Sequence, residues 1–339
     1  MRRKPLVQFT LLLVALAAWQ WTAAQAAGGG EENKPAAATE PSNTSHASNE
    51  GNGDYVGSDV CVTCHAEQQK SFVHTIMGNA MGQAKGGLAA RGCESCHGPG
   101  KAHVEAGGGK ETIAINFKDD SKNTVEEKNA ACLSCHSNGK QLFWKGSPHE
   151  SRAMACVDCH QVHYGSAAER YEKFASETRY GAPLSDTVGT KKPQPELCLS
   201  CHQMRRAQLQ RSSHMPYREG KVTCTSCHNP HGSPNPSQLI QSSINENCYS
   251  CHSERRGPFL FEHPPVMENC DNCHDPHGSS NPQLLKVRMP RVCDSCHVSS
   301  RHPVQPQPLQ SIKNFNRGCT NCHALIHGSN HPSGNAFLR

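Results

Sequence analysis

Past its first 26 residues the chain has no apolar run long enough to span a bilayer, and it is short of the side chains that build an ordinary interior. Hydrophobic residues make up 35% of it and aromatic residues 5%, whereas an ordinary globular domain is roughly 45–50% apolar. Its 339 residues would suffice for two or three domains by length. Side chains alone would give them only thin cores. Either much of the chain is unstructured, or something other than side chains fills the interior. Basic runs are also lacking. Lys191-Lys192, Arg205-Arg206 and Arg255-Arg256 are isolated pairs, which gives no footing for nucleic acid.

The N-terminus reads as an export signal. Arg2, Arg3 and Lys4 are followed by an apolar stretch from Leu6 to about Trp21, and Ala24-Gln25-Ala26 fits a small-x-small cleavage pattern. Residues 1–26 are therefore expected to be removed. The stretch is short of the ~20 apolar residues of a membrane span and is interrupted by Gln8, Thr10 and Gln20. Cleavage removes three of the 34 basic residues and none of the 29 acidic ones, leaving a formal charge of +2. Residues 27–54 are rich in Gly, Ala, Ser, Asn and Glu and read as a flexible tether.

What the chain does have is cysteine in one pattern. All 20 cysteines fall into ten copies of C-x-x-C-H. The copies are Cys61, Cys64 and His65; Cys93, Cys96 and His97; Cys132, Cys135 and His136; Cys156, Cys159 and His160; Cys198, Cys201 and His202; Cys224, Cys227 and His228; Cys248, Cys251 and His252; Cys270, Cys273 and His274; Cys293, Cys296 and His297; and Cys319, Cys322 and His323. Chance placement of these residues gives roughly 0.1 such motif, and the pattern is that of c-type haem attachment. Two thiols add across the two vinyl groups of one haem, and the next residue is thereby set against one face of the iron as the proximal ligand. Ten disulfides would suit an exported chain but would not explain a histidine after every second cysteine. Zinc sites would need two further ligands each.

Twelve histidines remain, and their order reveals a fivefold repeat: C-x-x-C-H, one His, C-x-x-C-H, one His. The repeats start at Cys61, Cys132, Cys198, Cys248 and Cys293. The added pairs are His74 and His103, His149 and His163, His214 and His231, His263 and His277, and His302 and His327. Two added histidines per two haems is the number that makes every iron bis-histidine. His46 and His331 fall outside the repeat, although His331 remains an alternative to His302. Met77, Met81, Met154, Met204, Met215 and Met267 do not recur by position and read as packing against haem edges.

His163, His231 and His277 lie three residues after a proximal histidine and His327 lies four after. A three-residue link spans at most roughly 10 Å and would have to round the porphyrin edge to reach the far face of the same haem. Each of these histidines is therefore expected to serve a neighbouring haem. Pro230-His231-Gly232 and Pro276-His277-Gly278 fit that arrangement, with proline stiffening the link and glycine permitting the turn.

The expected fold is a multihaem cytochrome c: elongated, mostly coil with short α-helices, little or no sheet, and ten stacked haems as the core. The haem-bearing part is 55–339, in five two-haem repeats. A subdivision near 166–197 is expected, where Ala167–Ser176 is the best helical stretch, followed by Pro183 and Pro193-Gln194-Pro195. Apoprotein should be largely unfolded. With two propionates per haem the loaded chain becomes acidic, near about −8 by formal count. Arg205, Arg206, Arg211, Arg255 and Arg256 are candidate propionate partners, with solvent exposure the alternative. If protein ligands fill every iron, no position is left for substrate, so the expected role is electron transfer and not catalysis. A multihaem reductase would need an open iron, and neither an altered motif nor a missing distal histidine marks one.

The segment Cys248–Ser279, together with Cys156–His163, Arg211-Ser212-Ser213-His214 and the tail His327-Gly328-Ser329-Asn330-His331-Pro332-Ser333-Gly334, resembles the MtrA/DmsE family of periplasmic decahaem cytochromes. The resemblance covers roughly 55–339 and extends to the cytochromes of iron oxidation named MtoA and PioA. The tether departs from it, apart from a phototrophic iron-oxidising member that also carries an N-terminal extension. The resemblance implies an electron conduit of ten haem c groups. It implies three kinds of partner: an outer-membrane β-barrel porin, an extracellular or surface multihaem cytochrome, and a periplasmic or inner-membrane cytochrome. The implied location is the periplasm, against the outer membrane. It leaves open whether electrons run outward to extracellular metal or inward from ferrous iron. A periplasmic shuttle to a terminal reductase is the alternative.

Overall fold

The computed structural model describes residues 54–164, 189–298 and 318–338. The leader, nearly all of the tether, the expected helix at 167–176 and His302 lie outside the described residues. Residues 51–339 cluster as one unit.

Twelve short α-helices and a set of 3₁₀ turns make up the regular structure among the described residues. The longest α-helix, Val125–Leu133, has nine residues. It is closed at its start by a capping box in which Thr124 Oγ1 accepts from Glu127 N–H and the Glu127 carboxylate accepts from Thr124 N–H. Helices this short do not stand alone in water. There are no strands among the described residues, only isolated antiparallel bridges. Three of these recur at proximal histidines: His160 with Thr190, His228 with Leu239 and His274 with Leu285.

Side chains supply little of an interior, as the composition requires. Leu199, Leu209 and Tyr217, with Val222 against them, form the one cluster of buried apolar residues among those described. Large apolar side chains stay at the polypeptide surface beside the motifs: Val60 is 38% exposed, Met204 73% and Val298 77%. The helices are therefore held by what the motifs carry and by backbone hydrogen bonds between loops. No helix among the described residues is long and apolar enough to cross a membrane.

Candidate haem-binding sites

In all ten motifs the histidine N–H donates to the carbonyl of the first cysteine, at 2.8–3.1 Å. Each motif is thus a single helical turn, and the two cysteines, three apart, lie on one face of it. The turns come in two kinds that alternate. The first motif of each repeat sits on an α-helix: Ser58–Val62, Val125–Leu133, Gln194–Cys201, Ile244–Tyr249 and Arg291–Asp294. The second stands as a lone turn: Glu94–His97, Cys156–Cys159, Cys224–Ser226, Cys270–Asn272 and Cys319–Asn321. On the lone turns the chain fixes the imidazole from behind. The Nδ1–H groups of His97, His160, His228, His274 and His323 donate to the carbonyls of Ile115, Gly189, Ser237, Gln283 and Ala336. That fixes the tautomer in which Nε2 is the nitrogen able to bind metal, since a ligating imidazole passes its other N–H to an acceptor.

The motifs neighbour one another in sequence order. Within each repeat the two first cysteines lie close enough for their thiols to interact: Cys61 with Cys93, Cys132 with Cys156, Cys198 with Cys224, Cys248 with Cys270, and Cys293 with Cys319. That interaction raises Cys132, Cys198 and Cys248 and lowers Cys270 to about 7. Burial comes first for Cys293, pushed up to about 12. Between repeats the second cysteines are neighbours. Burial raises Cys96, Cys159, Cys227 and Cys273, and nearby Cys135, Cys201, Cys251 and Cys296 add to the effect. All nine successive junctions are accounted for, alternately through first and second cysteines. The cysteines are free thiols, and no group of three or more metal-ligating side chains converges among the described residues. Neither arrangement resembles disulfide staples or zinc sites.

Seven proximal imidazoles face a second histidine ring. The pairs are His65 with His103 at 6.2 Å between centroids, His97 with His163 at 6.4 Å, His160 with His231 at 5.8 Å, His202 with His149 at 6.1 Å, His228 with His277 at 6.1 Å, His274 with His327 at 6.3 Å and His297 with His263 at 6.1 Å. Two metal–nitrogen bonds of about 2 Å, plus the offset from each coordinating nitrogen to its ring centre, put centroids about 6 Å apart. The residues therefore fit a six-coordinate haem iron held between them. Six rings lie within about 33° of parallel, while His149 and His202 cross at 67°. His163, His231, His277 and His327 each face a proximal histidine of the preceding repeat and not the one three or four residues before them.

Burial keeps several of these rings in the neutral form that a metal requires. It lowers His97, His202, His263 and His277, and brings His231 and His327 down to about 4. His103, His149, His163 and His214 pass Nδ1–H to the carbonyls of Gly109, Pro230, Gln68 and Arg211. The sequence carries no sign of these carbonyl acceptors, because any residue supplies a carbonyl.

The glycines after three of these histidines make the close approach possible. Gly232, Gly278 and Gly328 have φ of +106°, +136° and +132°. A Cβ there would sit 2.0 Å from the Phe143 carbonyl oxygen, 2.2 Å from that of Gln208 and 2.2 Å from the Phe259 ring. The proposed role of Pro-His-Gly thus has a physical reason beyond turn formation: the link lies directly on an earlier segment of chain.

Two proximal histidines, His136 and His252, have no facing imidazole at that spacing among the described residues. His74 is exposed. His214 is stacked edge-on against Tyr217 with Nε2 3.6 Å from Glu219. Four of the five arginines singled out in the sequence have protein partners: Arg256 pairs with Glu246, Arg255 with Glu254, Arg211 donates to the Gly278 carbonyl and Arg205 to Gln208.

Comparisons with known proteins agree with this geometry. A doubled CXXCH motif family matches residues 214–257 and 263–302, a cytochrome c-type NrfB-like family 93–181, and a cytochrome c554 and c-prime family 17–98. The chain is 41% identical over 300 residues to the multihaem cytochrome MtrA of Shewanella baltica, which covers 86% of this chain and 84% of that one. It is 28% identical over 120 residues, a third of its length and half of the other, to the cytochrome c-type protein NrfB of Haemophilus influenzae.

Proposed function

The chain belongs to the MtrA family of multihaem c-type cytochromes, and on that premise we propose that it conducts electrons along ten covalently held haems across the outer membrane, sheathed by a β-barrel porin. Haem bound at these motifs supplies one-electron redox chemistry. The protein's part is to attach each group through two cysteines, hold its iron between two imidazoles and keep successive motifs in contact. The observation that carries the reading is the sequence of nine cysteine neighbours, in which a cysteine of each motif lies close enough to one of the next to perturb its thiol. A bilayer core is about 30 Å thick, a length that ten packed haems can cross. A polar chain cannot meet lipid, so crossing requires a sheath. The chain serves exchange between periplasm and cell surface, for extracellular metal reduction or for ferrous iron oxidation, with flow set by donor and acceptor.

Six of the seven ring pairs follow a rule; the seventh, His65–His103, joins the two halves of the first repeat, which has no repeat before it. Histidines in the second half of a repeat face the lone-turn motif of the repeat before, as in His97–His163 through His274–His327. Those in the first half face the helix-borne motif of the repeat after, as in His149–His202 and His263–His297. Continued, the rule assigns His74 to His136 and His214 to His252. His323, with no later repeat, is left with His302 or His331. Ser333 N–H donates to Nδ1 of His331 at 3.1 Å, which puts the His331 proton on Nε2, the tautomer opposite to a ligand's. His302 is therefore assigned to the last haem. Replacing His302 by Ala should convert one haem to high spin by EPR, and His331→Ala should leave the spectrum low-spin. The reverse result exchanges the two assignments.

The conduit is tested in vesicles enclosing an oxidised dye and carrying the porin in their membrane, with dithionite outside. Dye should be reduced only when the porin and this protein are present together. Dye that stays oxidised, while the dithionite-reduced protein is reoxidised on mixing with a soluble terminal reductase and its substrate, would replace the conduit with a periplasmic shuttle, the reading that the NrfB-like segment favours.

A further inference from the structure

One turn ahead of every helix-borne motif, a side chain reaches out of its own turn to the start of the lone-turn motif of the same repeat. Ser58 Oγ accepts from Cys93 N–H at 3.1 Å. Asn129 Oδ1 accepts from Cys156 N–H at 2.8 Å. Gln194 Oε1 accepts from Thr225 N–H at 3.1 Å and from its hydroxyl at 3.0 Å. Asn245 Oδ1 accepts from Cys270 N–H at 2.7 Å. Met289 Sδ accepts from the Thr320 hydroxyl at 3.6 Å. Each acceptor precedes the first cysteine of its own motif by three or four residues, and each donor is the first cysteine of the partner motif or the residue after it.

The chemistry of a helix start explains why a partner is needed. The first N–H groups of a turn have no acceptor within it. In a lone turn of three or four residues this holds for most of the turn. Water or a local cap would satisfy them equally well, yet in four repeats the acceptor of one such N–H comes from the other motif, and in the fifth Met289 takes the Thr320 hydroxyl, all across 25–35 residues of chain. Two of the five are fully committed. Asn129 and Asn245 are 5% and 7% exposed, and their amides also donate, to the carbonyl of Met154 and to those of Val266 and Met267, all at 3.0 Å. Both amide ends are thus spent on holding the approach to the second motif against the helix that carries the first. A buried amide satisfied at both ends admits little sliding. The side chains differ in type, so the geometry recurs and the residue does not.

We propose that Ser58, Asn129, Gln194, Asn245 and Met289 are positioning residues that set the separation and tilt of the two haems within each repeat, and thereby the rate of electron transfer between them; this rests on the haem-chain reading above. None of them touches a cofactor-attaching thiol or a ligating nitrogen through its side chain. They act by fixing one motif turn relative to the other.

The test uses the mature holoprotein with Asn245→Ala and Gln194→Ala, beside Asn245→Asp and Gln194→Glu, which keep the accepting oxygen. Haem content is read by mass and the haem–haem arrangement by the Soret circular-dichroism couplet, which reports coupling between nearby porphyrins. The alanine variants should carry the full haem complement, stay low-spin and lose roughly the one-fifth of the couplet that one repeat in five contributes, taking separate repeats as additive. Gln194→Glu should retain the unmodified couplet, and Asn245→Asp, which keeps the acceptor but loses the two amide donations, should fall between the unmodified protein and Asn245→Ala. Alanine variants with an unchanged couplet overturn the proposal. Should Asn245→Ala fail to accumulate, the half-buried Gln194 position decides. If the unmodified protein itself shows fewer haems or no couplet, the haem-chain reading fails and not the positioning role.

Discussion

Produced without haem attachment, the mature chain is expected to be a coil. Its far-ultraviolet circular dichroism should lack helical minima, and heating should give no cooperative transition, whereas the haem-loaded protein should unfold in one. The reason lies in the shortage of interior. Fixing the backbone costs on the order of 1–2 kcal/mol per residue, and the single apolar cluster of Leu199, Leu209 and Tyr217 cannot offset that over the described chain. The helices cannot compensate either, since none among the described residues exceeds nine residues and isolated helices below about 12–15 residues are marginal in water. Val60, Met204 and Val298 gain an apolar surface to cover only when the motifs are loaded, so cofactor binding is folding energy here. A cooperative transition in haem-free protein would show that side chains alone sustain the fold.

His277→Met is expected to slow conduction through the whole chain by about 10²- to 10³-fold while leaving haem content and secondary structure unchanged. His277 faces His228 at 6.1 Å, and methionine in place of the second imidazole raises the potential of an iron. A rise of about 0.1–0.2 V, modest within the ~0.8 V that axial ligands span, makes that position a trap. Each 59 mV of one-electron depth costs about tenfold on leaving it. The effect reaches the whole chain because of the motif order. Cys227 neighbours Cys251 and Cys198 neighbours Cys224, and no junction joins the fifth motif to the seventh. A branched arrangement would let electrons pass around the trap. Flux is measured by the enclosed-dye experiment and the ligand change by absorption. Unchanged flux with a confirmed methionine ligand would disprove the single-file route; an unchanged haem spectrum would remove His277 from the ligand set.

The alternation between helix-borne and lone-turn motifs ties these expectations together. The first motif of a repeat receives its stiffness from the helix before it, and the second receives its stiffness from a backbone carbonyl behind its imidazole, as with His228 and Ser237 or His274 and Gln283. Links such as Pro276-His277-Gly278 then carry the next repeat's imidazole back to that second motif, with Gly278 lying against the Gln208 carbonyl. Every repeat therefore needs its neighbour, in the way stacked repeat proteins do.

How much of this was legible in the sequence depended on the length scale of each feature. The ten attachment motifs, the thin interior, the short helices and the fivefold order of histidines are local or compositional, and a chain met for the first time declares them. The short spacing from His274 to His277 was enough to show that the second histidine belongs elsewhere. It was not enough to say where: His277 meets His228, and His149 meets His202 across a stretch of 53 residues that no spacing argument bridges. The carbonyls behind the imidazoles were invisible because every residue has one. The residues that join the two motifs of a repeat were hidden for a related reason, since serine, asparagine, glutamine and methionine all serve. What the amino-acid sequence determined by itself was chemistry written in adjacent residues: the attachment motif for haem c and its ten copies. Only the tertiary structure decided which imidazoles meet and which motif lies beside which, because those contacts join segments whose separation along the chain carries no constraint until the backbone has folded around them.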